Sequence, residues 1–157
     1  MKTKIKTYVV AILIPLAVGA LSAFLTRNNM DIYSRINTPS ISPPSIVFPI
    51  VWTVLYILMG ISSAIIYNSD ASRIEKSNAL YTYAASLLVN FFWSIIFFNW
   101  NAYLLAFAWL TLLLFLIVKT IIKYYKIEPI SAYLQIPYTL WVIFAGYLNL
   151  NIWLLNR

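Results

Sequence analysis

The chain has 157 residues, of which 62% are hydrophobic, 17% aromatic and only 10% charged, with a net charge of +7. Soluble domains carry about 25% charged residues, so an ordinary water-facing surface is excluded, and the length suits one domain over 1–157. The absence of Cys and His also excludes thiol catalysis, disulfides, Cys/His zinc sites, histidine-ligated haem and histidine triads.

Long stretches without charge define the elements, because a spanning helix needs about 20 apolar residues. The first, 6–26, follows Lys2, Lys4 and Lys6. Ala20-Leu21-Ser22-Ala23 resembles a small-residue cleavage site, but the apolar run is long enough to span, and a retained first helix is expected. Pro15 should kink it and free the Ala11 carbonyl. The loop 27–45 is long for so short a chain, and long structured loops are often lids. Its Pro39-Ser40-Ile41-Ser42-Pro43-Pro44 run should be rigid and extended, and the loop is expected to cap the outer mouth of a bundle.

The second span is expected over 46–68, with Pro49 in its first turn, where a missing N–H costs little. The uncharged stretch from Ser77 to Val118 is too long for one helix and breaks at Asn99-Trp100-Asn101. It therefore predicts a hairpin of spans 78–98 and 102–124. The last span, 130–153, contains Pro137, expected to kink it and free the Tyr133 carbonyl. The fold class is an all-α membrane protein, a bundle of five transmembrane helices.

Cations set an orientation. Lys2, Lys4, Lys6, Arg73, Lys76, Lys119, Lys123 and Lys126 fall on one side, and Arg27, Arg35 and Arg157 on the other. The N-terminus should therefore be cytoplasmic. The net positive charge then anchors helix ends to anionic lipid, and no basic patch is arranged for nucleic acid. Asp31, Asp70, Glu75 and Glu128 all fall in expected loops, which argues against ion-coupled transport through buried carboxylates. No phosphate-cradling glycine motif is present. No catalytic residue, metal site or resident cofactor is assigned.

Asn90, Gln135 and Asn149 lie inside spans, where an amide must find a partner or face a cavity. Helical spacing places Asn90, Trp93 and Phe97 on one face, Trp52, Tyr56 and Ser63 on another, and Tyr138, Trp141, Ala145 and Asn149 on a third. Such stripes serve either as core or as the wall of a pocket for a flat apolar ligand.

Three motifs carry a family resemblance. They are Pro39-x-x-x-Pro43-Pro44-x-x-x-Phe48-Pro49-x-x-Trp52-Thr53-x-Leu55-Tyr56-x-x-Met59-Gly60, Asn90-x-x-Trp93-Ser94-x-x-Phe97-Phe98, and Pro137-Tyr138-x-x-Trp141-Val142-x-Phe144-Ala145-x-Tyr147-Leu148-Asn149. Together they resemble the translocator protein family, which includes the peripheral-type benzodiazepine receptors and the bacterial tryptophan-rich sensory proteins, TspO. The resemblance implies a multi-pass protein of a bacterial cell membrane, forming a homodimer. It also implies porphyrin or haem as ligand, bound, transported or sensed in an aromatic pocket under the first loop.

By motif and shared face, the implied ligand-binding residues are Trp52, Tyr56, Asn90, Trp93, Phe97, Tyr138, Trp141, Ala145 and Asn149. The implied lid residues are Tyr33, Arg35, Pro39, Pro43 and Pro44. Apart from the resemblance, Arg27 or Arg35 at the mouth is expected to meet the carboxylates of a tetrapyrrole. The alternative is a light-dependent porphyrin-degrading enzyme that uses Trp52 and Trp141. Ile32 and Ile41 stand where the family often has Trp, and the residues Leu148 to Arg157 lack the Tyr of the animal cholesterol motif, so no sterol site is expected.

Overall fold

The computed structural model describes residues 2–157, apart from the side chains of Lys2, Thr3 and Tyr33. Five helical stretches are long and apolar enough to cross a bilayer, and no strand occurs among the described residues. Helix α1 is Lys2–Thr26, α2 is Val47–Asn68, α3 is Arg73–Ser94 and α4 is Tyr103–Ile127. The last span is built from two helices, α5 over Pro129–Leu134 and α6 over Ile136–Leu155. The elements match the expected spans, extended at several ends by polar residues.

The extension of α3 has a specific cause. The Ser72 Oγ accepts the Glu75 backbone N–H at 3.2 Å, while the Glu75 carboxylate accepts the Ser72 N–H at 3.1 Å. This reciprocal cap starts the helix at Arg73. Its Ser-x-x-Glu signature stands in the sequence, yet reading by charge-free gaps placed the start later.

Two expectations about proline need correction. The 27–45 segment opens as a 3-10 helix, Arg27–Ser34, and its Pro39–Pro44 run is not extended throughout but turns, with the Ser42 N–H donating to the Pro39 carbonyl at 2.9 Å and the Val47 N–H to the Pro44 carbonyl at 2.9 Å. Pro fixes φ, which suits a turn as well as an extended run. Likewise Pro137 does not sit inside a kinked helix. The chain breaks at Gln135, and Pro137 falls in the first turn of α6, where its missing N–H has no intrahelical partner to lose. At the break, Gln135 Nε2 donates to Ser62 Oγ at 3.1 Å, and Ser62 Oγ donates to the Ser131 carbonyl at 2.8 Å. Gln135, 1% exposed, thus ties α6 to α2 and α5.

Helix α1 runs on through Pro15. The carbonyl that Pro15 leaves without an intrahelical donor, that of Ala11, faces Gly60, where an added Cβ would lie 2.7 Å from it. The missing side chain lets α1 and α2 pack backbone to backbone. Between α3 and α4, a π-helical turn over Ile95–Asn99 leads to Asn101 at φ 52°. Asn tolerates this left-handed conformation better than most residues. The buried core runs through Met59, Ile66, Leu113 and Ile117. The same core continues through Tyr56, Trp93, Phe97 and Ala145, which border the space left beneath the 27–45 segment.

Candidate functional site

A cavity of about 490 Å³ occupies the half of the bundle beneath the 27–45 segment. Its wall is built from one stretch of each of four helices: Leu16 to Thr26 of α1, Phe48 to Tyr56 of α2, Asn90 onward on α3, and Ala145 to Asn149 of α6. Its volume lies within the usual range for small-molecule sites, about 300–1,000 Å³.

Aromatic rings dominate the wall. Trp52 stacks on Tyr56, with centroids 5.4 Å apart. Trp93 lies against Phe97 at 5.5 Å, and Phe97 meets Phe98 edge-on at 4.9 Å. Two amides sit among them. Asn90 Nδ2 donates to the Tyr56 hydroxyl at 3.2 Å. The Trp93 Nε1–H donates to Asn149 Oδ1 at 3.1 Å, and Asn149 Nδ2 donates to the Tyr103 carbonyl at 2.7 Å. These amides therefore do both things open to them, joining helices and lining the cavity. No charged side chain is in the lining. Among the described residues there is also no group of His, Cys, Asp and Glu that could hold a metal ion.

Of the residues singled out from the sequence, Trp52, Tyr56, Asn90, Trp93, Phe97, Ala145 and Asn149 converge on this cavity. Tyr138 and Trp141 do not. Tyr138 is packed behind Trp52, with ring centroids 6.1 Å apart, and is 1% exposed. Trp141 touches Phe48 at 5.8 Å and lines an outer apolar groove between α2 and α6 instead. All four residues of the expected face lie within the regular helix α6, but at 3.6 residues per turn Trp141 stands about 60° from Tyr138 and about 80° from Asn149, so a face drawn to include it is too wide and misplaces Trp141.

The lid differs too. Among the described residues of the 27–45 segment only Met30 and Ser45 reach the cavity, and Arg35, Pro39, Pro43 and Pro44 do not line it. The side chain of Tyr33 lies outside the described residues. Arg35 is ion-paired with Asp31, and Arg27 donates to the Phe24 carbonyl at 2.9 Å while covering the Phe24 ring.

The wall supplied by α1 was not anticipated. A Cβ added at Gly19 would come within 2.2 Å of the Tyr56 ring, and Ala20, Ser22, Ala23 and Thr26 continue this small-residue surface. The signal was the run of small residues itself. Small side chains on one helix opposite large rings on the next mark either close contact or space, and here they give both.

A family model described as the TspO/MBR family matches residues 11–154. The chain is 34% identical over 157 residues to the tryptophan-rich protein TspO of Chlorobaculum tepidum, covering 99% of each chain. It is 33% identical over 149 residues to the protein of the same name from Archaeoglobus fulgidus, covering 94% of this chain and 95% of that one. It is also 30% identical over 133 residues to the translocator protein of Homo sapiens, covering 84% of this chain and 79% of that one.

Proposed function

The chain belongs to the TspO/MBR family of membrane proteins, and from that premise we propose that it binds porphyrin or haem in the aromatic cavity, as a carrier or sensor of the tetrapyrrole. The observation that carries this reading is the wall itself: Trp52, Tyr56, Trp93 and Phe97 around an uncharged space with two amides. A flat conjugated ring is held by burial and by stacking on such rings, and each good aromatic contact adds about 0.5–1.5 kcal/mol. Ionic pairing contributes less, because Arg35 would have to leave Asp31 to meet a ligand carboxylate.

The test is a titration of the purified protein with protoporphyrin and haem, read by tryptophan fluorescence. Trp52→Ala should weaken binding about tenfold, equivalent to about 1.4 kcal/mol. Trp141→Ala should change it by less than about twofold, because its ring faces the outer groove rather than the cavity. No saturable quenching at micromolar ligand, or a larger loss in Trp141→Ala than in Trp52→Ala, would sink the reading.

The reading includes a homodimer. The small-residue pairs Gly19/Ser22 and Ala102/Ala106 are used inside the chain, at the cavity wall and in the core. By contrast, α3 leaves Tyr81, Ala84, Ala85, Leu88 and Phe92 exposed in a row, and small residues flanked by large ones suit close approach of helices in lipid. In a chain without native Cys, Ala84→Cys should give a disulfide-linked dimer on oxidation. A protein that stays monomeric there would place the contact elsewhere.

A further inference from the structure

The exposure of the cavity wall is one-sided. The lining residues of α3 and α6, from Asn90 and Trp93 to Asn149, are all buried or half-buried. The exposed ones are Ala20, Ala23 and Met30 on the side of α1, and Ser45, Pro49 and Thr53 on the side of α2. Gly19 packs on Tyr56, and Gly60 on Ile12, so α1 and α2 are closed against each other deeper in the bundle. These exposed residues therefore mark the two edges of one seam, which opens above the Gly19–Tyr56 contact.

What faces the seam follows from its flanks. Leu21, Phe24 and Leu25 beside it on α1, and Ile46, Ile50 and Val54 beside it on α2, are 45–65% exposed and wholly apolar. Exposed apolar residues on spanning helices face acyl chains. Ala23 lies three residues before the end of α1 and Thr53 six residues into α2, which at 1.5 Å per residue puts the opening about 5–9 Å inside the helix ends.

The top of the cavity, by contrast, is fastened. The Asn37 N–H donates to Asn156 Oδ1 at 3.0 Å, and Asn156 Nδ2 returns a bond to the Asn37 carbonyl at 2.8 Å. Asn29 Nδ2 donates to Asn99 Oδ1 at 2.8 Å, and Asn99 Nδ2 donates to the Leu25 carbonyl at 3.2 Å.

We infer that the cavity is loaded from the bilayer through the α1–α2 seam, not from water past the 27–45 segment, so that its ligands are apolar molecules already dissolved in lipid. The inference rests on the reading of the cavity as a ligand site and adds the source and route of the ligand. The small side chains of Ala20 and Ala23 leave the width of the seam to the separation of two helices, and that separation can change by movement of α2, on which none of these cap bonds falls.

The experiment uses the full chain in vesicles, with protoporphyrin dissolved in the lipid and tryptophan quenching followed in time. One variant, Ala23→Cys with Pro49→Cys, is joined across the seam by a short bis-thiol reagent with a reducible linker. A second, Asn37→Cys with Asn156→Cys, is joined in the same way across the cap. Linking the seam should slow quenching at least about tenfold, with the rate restored on reduction, whereas linking the cap should change it by less than about twofold. Restoration on reduction separates a blocked route from a misfolded variant. Slowing by the cap link alone, or by neither link, overturns the route while leaving the porphyrin reading intact. Absence of equilibrium quenching in the unlinked protein overturns that reading, and this inference with it.

Discussion

At Gly60, an added Cβ would stand 2.4 Å from the Ile12 Cα and 2.9 Å from its side chain. The first of these is backbone, which cannot swing aside. At Gly146, also inside the bundle, an added Cβ would meet nothing within 4 Å. The two positions therefore predict opposite signs. Gly60→Ala forces α1 away from α2 and should cost about 1–3 kcal/mol, the usual range for overpacking. Gly146→Ala removes the entropic penalty of glycine in a helix and should stabilise by about 0.5–1 kcal/mol. Unfolding in mild detergent, followed by circular dichroism, checks both. A neutral Gly60→Ala would mean that α1 is not held by this contact. Composition marks neither residue as special, since the difference lies in what the neighbouring helix presents to each.

The elements show which local signals survive in a chain this apolar. Spans were legible because charge is so rare that its gaps approximate helices, and the hairpin turn was legible from Asn99-Trp100-Asn101. Asn101 adopts φ 52°, so Asn101→Gly should hold or raise stability. Asn101→Val should lose about 1–2 kcal/mol, the cost of a left-handed conformation for a β-branched residue. Ser72→Ala should cost about 1 kcal/mol by removing the cap of α3. Thermal denaturation of the three variants would decide. A destabilised Asn101→Gly would locate the demand at that turn in the side chain of Asn101 rather than in its backbone. The division of the last span was less legible. Pro137 signalled an interruption, but whether a helix kinks or breaks depends on tertiary partners, and the Gln135 side chain at the break finds Ser62 on another helix. The site was legible to the same degree. Periodicity grouped Trp52 with Tyr56 and Asn90 with Trp93, because α2 and α3 are regular there. It misplaced Trp141, which stands at the margin of a face drawn too wide on α6, and passed over the α1 wall, because space beside small residues is a tertiary fact.

At the scale of the molecule, an odd number of spans puts the chain ends on opposite sides, and the cavity belongs to one of them. The 27–45 segment, the α3–α4 turn and the end of α6 meet at the cavity end, joined by the Asn29–Asn99 and Asn37–Asn156 bonds. The other end carries Arg73, Lys76, Lys119, Lys123 and Lys126. There Lys123 Nζ reaches the Asn78 side chain at 2.7 Å and Thr82 Oγ1 at 2.6 Å, which fixes that ammonium at the foot of the α3–α4 pair. Cations concentrate on the cytoplasmic side of membrane proteins, and anionic lipid there attracts each by about 1 kcal/mol. The cavity should accordingly open toward the outer half of the bilayer. Single cysteines test this cleanly in a chain that has none of its own. In intact cells, Ser40→Cys on the capping segment should react with a membrane-impermeant maleimide, and Ser72→Cys between α2 and α3 should react only after lysis. The reverse pattern would place the cavity on the cytoplasmic side, and the ligand would then be drawn from the inner leaflet through the same seam.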